Sequence, residues 1–162
     1  MTRRINSAAP IRICDIGGWT DTWFAGHGAV FNIAVYPYVE VQIEIHDRKV
    51  SEDRVVINVE NFGESYAVNP DKITYTKHPL IEAAIEVMKI PADLSFTVTL
   101  YSAAPPGAST GTSAAVSVAL IGALDSLTEG RLTPHEVAAL AHSIETEKLG
   151  LQCGIQDQLC SA

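Results

Sequence analysis

Basic residues are scarce in this chain. Eleven Lys and Arg stand against 19 Asp and Glu, for a formal net charge of −8 over 162 residues. The cations are also scattered, so there is no basic stripe to neutralise phosphates, and nucleic acid and anionic membrane are excluded as expected partners. Cysteine is nearly absent. Cys14, Cys153 and Cys160 are an odd number without C-x-x-C spacing, which fits neither a disulfide framework nor a zinc site. Reduced thiols and a cytoplasmic location are expected. His27, His46, His78, His135 and His142 show no metal-ligand spacing. No apolar run approaches the ~18 residues of a membrane-spanning helix. The two arginines of MTRRINSAAP are not followed by an apolar stretch, so no signal peptide is expected. Internal repeats, linkers and low-complexity tracts are missing as well.

What is present is material for a core. Hydrophobic residues make up 47% and charged residues 19%, a globular balance, and the length suits one domain over 1–162. Residues 11–16 (IRICDI) predict a short strand that runs into a Gly17-Gly18 turn, with a second turn at Gly26-His27-Gly28. Residues 39–45 (VEVQIEI) alternate strictly, which turns Val39, Val41, Ile43 and Ile45 inward. Residues 55–60 and 65–68 predict a hairpin around Asn61-Phe62-Gly63-Glu64. A helix is expected over 80–89, stopped by Pro91, then a strand over 96–101 and a long helical pattern to about Leu127. Thr133 and Glu136 have the spacing of a capping box with Pro134 at the first helical position, and Gly150 closes that helix. Strands fill the first hundred residues and helices the last sixty, which is an α+β pattern.

Between the strand at 96–101 and the following helix lies PPGASTGTSAAVSVAL. Pro106, Gly107, Ala108, Ser109, Thr110, Gly111, Thr112 and Ser113 place little side chain at a helix start. Unpaired N–H groups and the positive end of the dipole are available there for a phosphate. No Lys precedes the final Thr or Ser, so this is not a Walker A loop, and it is not the dinucleotide G-x-G-x-x-G. A tight turn made of small residues for close packing is the alternative reading.

This stretch resembles the second signature of the GHMP kinases, the family of galactokinase, homoserine kinase, mevalonate kinase and phosphomevalonate kinase. Gly111, Ser113, Ala114 and Ala115 match a pattern of proline, G-L-G-S-S and Ala-Ala. Ser109, Thr110 and Thr112 replace the usual Gly, Leu and Ser, and a side chain at position 109 is penalised if φ is positive there. The stretch Arg12-Ile-Cys-Asp-Ile-Gly-Gly-Trp-Thr-Asp21 resembles the family's first signature. Its GGWTD form is similar to the fucokinase and heptose-kinase branches, as is the Gly28-Ala-Val-Phe-Asn32 stretch. ETEKLGLQCGIQDQLCSA, from Glu145 to Ala162, resembles the galactokinase segment ending Cys-Gly-Ile-x-Asp-Gln.

The resemblance implies an α+β domain with a mixed or antiparallel sheet packed on helices, similar to a ribosomal-protein domain. It also implies the N-terminal half of a sugar kinase, since full-length members have a second lobe and a third Gly-rich signature. The implied reaction is ATP-dependent phosphorylation of a hydroxyl on a sugar or sugar phosphate, with Mg2+. Residues 106–113 would hold ATP, and Ser113 and Glu145 the metal. Asp157 would be the base with Arg12 beside it, so that orientation of the hydroxyl is the main contribution. Gly17, Gly18, Trp19 and Asp21 would bind the sugar, and Trp19 and Trp23, which flank Asp21, could stack on it or pack in a core or lid. Without the resemblance, Arg12 and Asp157 read equally well as a strand-surface Arg and a turn Asp. A non-catalytic sugar- or nucleotide-binding regulator is the alternative function. Mevalonate-type substrates rank below sugars, because GGWTD is a sugar-kinase pattern. Alone, the half-molecule is expected to be almost inactive and to self-associate, for instance as a homodimer.

Overall fold

A computed structural model describes residues 3–46, 52–105 and 107–162. Five strands form one mixed sheet: β1 (Arg3–Ile16), β2 (Phe31–Ile45), β3 (Val55–Val59), β4 (Glu64–Val68) and β5 (Phe96–Ser102). Their spatial order is β1-β2-β5-β3-β4, with β3 and β5 parallel and the other pairs antiparallel. The helices are α1 (Pro79–Val87), α2 (Thr112–Asp125), α3 (Pro134–Ser143) and α4 (Gln156–Ser161).

The period-two pattern decides which face is covered. Val39, Val41, Ile43, Val55, Ile57, Phe96 and Val98 are almost fully buried, and each such side chain contributes roughly 1.5–3 kcal/mol of transfer free energy. The opposite face carries cross-strand polar pairs: Gln42 donates to Asn6 at 2.9 Å, Asn58 to Thr99 at 3.3 Å and Ser65 to Asn58 at 2.7 Å. One apolar and one polar face are what an antiparallel-rich sheet with helices on one side requires. α2 is buried on nearly every side, from Ala114 to Leu124, because it contacts β1, β2, α1, α3 and α4. Its sequence accordingly lacks charge until Asp125.

Several expected elements are longer than their patterns suggest. β1 begins at Arg3 rather than at residue 11, and β2 at Phe31 rather than at residue 39. Ser7, Ala8, Ala9 and Pro10 are poor strand formers, but the ladder from Arg3↔Ile45 to Ile16↔Phe31 overrides that preference. The hairpin matches its expected place. Glu60–Phe62 forms a 3-10 turn and Gly63 takes φ 63°. α1 ends at Val87 and α2 at Asp125, both slightly early. The capping box is formed as expected: Thr133 Oγ1 accepts from the Glu136 amide, and Glu136 accepts from the Thr133 amide. Beyond α3 the chain continues as a π-helical turn over Ile144–Lys148 before Gly150. α4 has no counterpart in the sequence reading. It has only six residues, too few for an apolar period to show.

Candidate active site

Three elements far apart in sequence meet at Arg12. It lies on β1, where its amide donates to the Thr110 carbonyl at 2.9 Å. Its guanidinium grips Asp157, at the start of α4, through both oxygens: Nε to Oδ1 at 2.7 Å and Nη2 to Oδ2 at 2.9 Å. The remaining arm, Nη1, donates to the Ser109 carbonyl. The two side chains are only 13% and 24% exposed. A fork–fork pair of this kind fixes direction as well as distance, so strand, loop and helix are locked to one another.

Gly111 passes directly over this pair. A Cβ there would lie 3.1 Å from Arg12 Cγ and 3.3 Å from Asp157 Oδ2, and φ is 70°. Only glycine meets both conditions without strain. Ser109 also adopts a positive φ, 55°, so the expected penalty on its side chain is present. α2 starts at Thr112 with Gly111 as its N-cap and no side-chain cap. By contrast, α3 satisfies its N-terminus with Thr133. The first amides of α2 are left for an outside acceptor. Ser113 is exposed in that first turn. Pro106 lies outside the described residues.

Two cavities open around Arg12, Trp19 and Asp157, which line both. The larger, about 530 Å³, runs over Gly107, Ala108, Ser109, Thr110, Gly111, Thr112 and Ser113 to an apolar wall that includes Val59, Phe62, Leu80, Leu100 and Val116. The smaller, about 90 Å³, is completed by Asp21, Cys153, Gly154 and Gln156. Asp21 Oδ2 accepts from the Gln156 amide at 2.9 Å. A Cβ on Gly154 would sit 1.9 Å from that oxygen, so glycine is required where Asp21 passes.

Gly17 and Gly18 line neither cavity. Gly17 makes the turn instead, its carbonyl accepting from Thr20 N and Thr20 Oγ1 at 3.0 and 2.6 Å. Trp19 is 60% exposed at φ 72°, and Trp23 is 80% exposed with its edge on Phe24. Neither tryptophan is a core residue.

Glu145 is buried on the π-helical turn and lines neither cavity. Gln158 Nε2 donates to its Oε1 at 3.0 Å. Burial pushes the Glu145 carboxyl up from its ordinary range, with the Gln158 and Cys153 hydrogen bonds opposing that shift. The Cys153 thiol is pushed up to about 11 by burial and by the neighbouring Glu145, so it stays a neutral donor to that carboxylate. Gln158 Oε1 is buried without a partner. Sequence reasoning singled out neither Gln156 nor Gln158. Both lie in the quoted QDQ, but glutamine has no titratable group to draw attention.

The family model of the GHMP kinases N terminal domain matches residues 79–162. The chain belongs to the GHMP kinases. It is 30% identical to a mevalonate kinase of Thermococcus gammatolerans over 169 residues, covering 94% of this chain and 48% of the relative. It is also 30% identical to the D-glycero-alpha-D-manno-heptose 7-phosphate kinase of Campylobacter jejuni over 162 residues, covering 96% of this chain and 47% of the relative. The crystal structure of a D-glycero-D-manno-heptose 1-phosphate kinase from Bacteroides thetaiotaomicron superposes with a TM-score of 0.81 at 26% identity, over 98% of this chain and 52% of that one. This GHMP chain therefore spans about half the length of the relatives it matches. No helix among the described residues is long and apolar enough to cross a membrane.

Proposed function

We propose that this chain is the N-terminal part of an ATP-dependent kinase that phosphorylates a sugar hydroxyl. The observation that carries the reading is the sharing of Arg12, Trp19 and Asp157 by two cavities of unequal size. Phosphoryl transfer needs a donor and an acceptor held in line on either side of the reacting group, and little covalent chemistry from the protein. The large cavity offers an apolar wall for a nucleobase and uncapped amides of α2 for phosphates. The small one takes the acceptor hydroxyl against Asp157.

Asp157 would accept the hydroxyl's hydrogen bond and orient its lone pair toward the phosphate, while Arg12 holds the carboxylate in place. Ser113 and Glu145 are hard oxygen donors of the kind Mg2+ takes, and Glu145, which lines neither cavity, would have to turn from Gln158 to share an ion with Ser113. A buried carboxylate whose charge is opposed by burial also gains from a divalent cation. When bound, the ion would neutralise charge on the phosphates.

The relatives act on acceptors as different as mevalonate and a heptose phosphate. The small cavity favours the sugar. Two carboxylates, Asp21 and Asp157, face about 90 Å³, and both are acceptors only. Hydroxyls on adjacent ring carbons suit two carboxylates on one small cavity, whereas the two hydroxyls of mevalonate lie on carbons 3 and 5 of a flexible chain. The test is ADP release by the full-length protein with a panel of aldoses, aldose phosphates and mevalonate. Turnover with mevalonate alone would refute the sugar assignment.

A further inference from the structure

Gln156 occupies a position that the chemistry above does not use. Both its backbone groups are tied down: its amide donates to Asp21 Oδ2 at 2.9 Å, and its carbonyl accepts from Asn32 Nδ2 at 3.1 Å. Its side chain is also oriented. Nε2 faces Asp21 Oδ1 at 3.4 Å, and Oε1 accepts from the Cys14 thiol at 3.2 Å. A carboxylate only accepts, so the amide can point just one way.

A carboxamide has two N–H donors and two acceptor lone pairs. One donor and one acceptor are used here, the donor in a long contact to Asp21 and the acceptor by the Cys14 thiol, which leaves one N–H and one lone pair. The rest of the side chain lines the small cavity beside Asp21 and Asp157. A Cβ on Gly18 would come 3.3 Å from Cys14 Sγ and 3.9 Å from Gln156 Nε2. The first turn thus lies beside this arm, and a side chain at position 18 would crowd the Cys14 thiol that holds it.

We infer that Gln156 is a specificity-determining residue of the acceptor subsite, its carboxamide presenting a donor and an acceptor to a hydroxyl adjacent to the one that reacts. The inference rests on the sugar-kinase reading of the same site. It assigns a division of labour: Asp157 addresses the reacting hydroxyl, and Asp21 with Gln156 reads its neighbour. Asp21 can only accept, whereas Gln156 can both donate and accept, so a neighbouring ring hydroxyl directed at the pair is held as donor and acceptor at once, and its epimer, directed away, is not.

The experiment uses the full-length protein with ATP and three acceptors, D-glycero-α-D-manno-heptose 7-phosphate, D-mannose 6-phosphate and its C2 epimer D-glucose 6-phosphate, taking the C1 hydroxyl as the reacting one so that C2 is its neighbour, with the phosphorylated carbon of the product read by 31P NMR. Gln156→Met keeps the length and removes the polarity. Gln156→Asn keeps the amide and withdraws it from the cavity. Both leave the backbone bonds to Asp21 and Asn32 in place, and thermal melts check the fold. The expected result for both variants is an acceptor KM raised about tenfold, a KM for ATP within about twofold of wild type, and a reduced kcat/KM ratio between the C2 epimers. An active wild type whose epimer ratio and acceptor KM are unmoved in Gln156→Met overturns the inference and leaves the kinase reading standing. A wild type inactive on all three acceptors overturns both.

Discussion

In the proposed reaction Asp157 orients the acceptor hydroxyl, and Arg12 fixes its direction by holding both of its oxygens. Asp157→Asn in the full-length enzyme should therefore lower kcat by about 100-fold or more while the KM for ATP changes little. Near-normal turnover, measured as ADP release, would remove Asp157 from the mechanism. Glu145→Gln should abolish most of the magnesium enhancement of ATP binding in calorimetry, and exposed Ser113→Ala a smaller part of it. A magnesium enhancement in both variants as large as that of the wild type would discard the metal site. Ser109 tests the loop itself. Its φ of 55° is strained for any residue with a Cβ, by about 1 kcal/mol. Glycine also raises the entropy of the unfolded chain, so Ser109→Gly should stabilise by only about 0.5 kcal/mol, read from the urea midpoint. A loss of stability would show that the serine side chain supports the loop.

At the scale of elements, the segment after α1 depends on a residue no motif marks. Arg54, 4% exposed, donates to the carbonyls of Ile90, Pro91 and Leu94 at 3.2, 2.8 and 3.1 Å. It stitches the approach to β3 onto the turn between α1 and β5. Arg54→Leu would leave three carbonyls without their donor in a buried place. The expected loss is about 3 kcal/mol, measured by chemical denaturation. Arg54→Lys, with fewer donors in a fixed plane, should recover only part of it. Because β5 leads into the phosphate loop, the same variant should also weaken ATP binding in the full-length protein.

At the scale of the whole molecule, apolar surface remains uncovered. Ile13, Ile16, Trp19, Trp23, Phe24, Phe31, Ile33 and Tyr36 are each at least 48% exposed, and they cluster on the β1–β2 ladder and the turn between those strands. Exposed patches of this kind favour association. Residues 1–162 expressed alone should show concentration-dependent self-association by light scattering. They should also give little or no ADP release with an acceptor on which the full-length protein is active, because water reaches the phosphates in an open site. Comparable kcat/KM values would show that residues 1–162 suffice.

Patterns with short range were legible in the chain. The alternation in VEVQIEI, the capping box at Thr133 and the glycine–small-residue loop each depend on neighbours a few positions away, and each folds as its chemistry dictates. Motif resemblance extended this to the family and pointed to Arg12, Asp21 and Asp157, which the fold brings to one small cavity. The tertiary structure decided the rest. Residues 3–10 became a strand by pairing with 38–45, and residues 31–35 by pairing with 11–16, against the preferences of Ser7, Ala8, Ala9 and Pro10. Gly17 and Gly18 lie in the turn after β1 and line neither of the two cavities around Arg12. Gln156 emerged as an oriented arm only once β1, β2 and α4 had been brought together. Local hydrogen bonds and side-chain periods are properties of a few consecutive residues. Which polar side chains converge on one small cavity depends on contacts more than a hundred residues apart, and no local pattern encodes those.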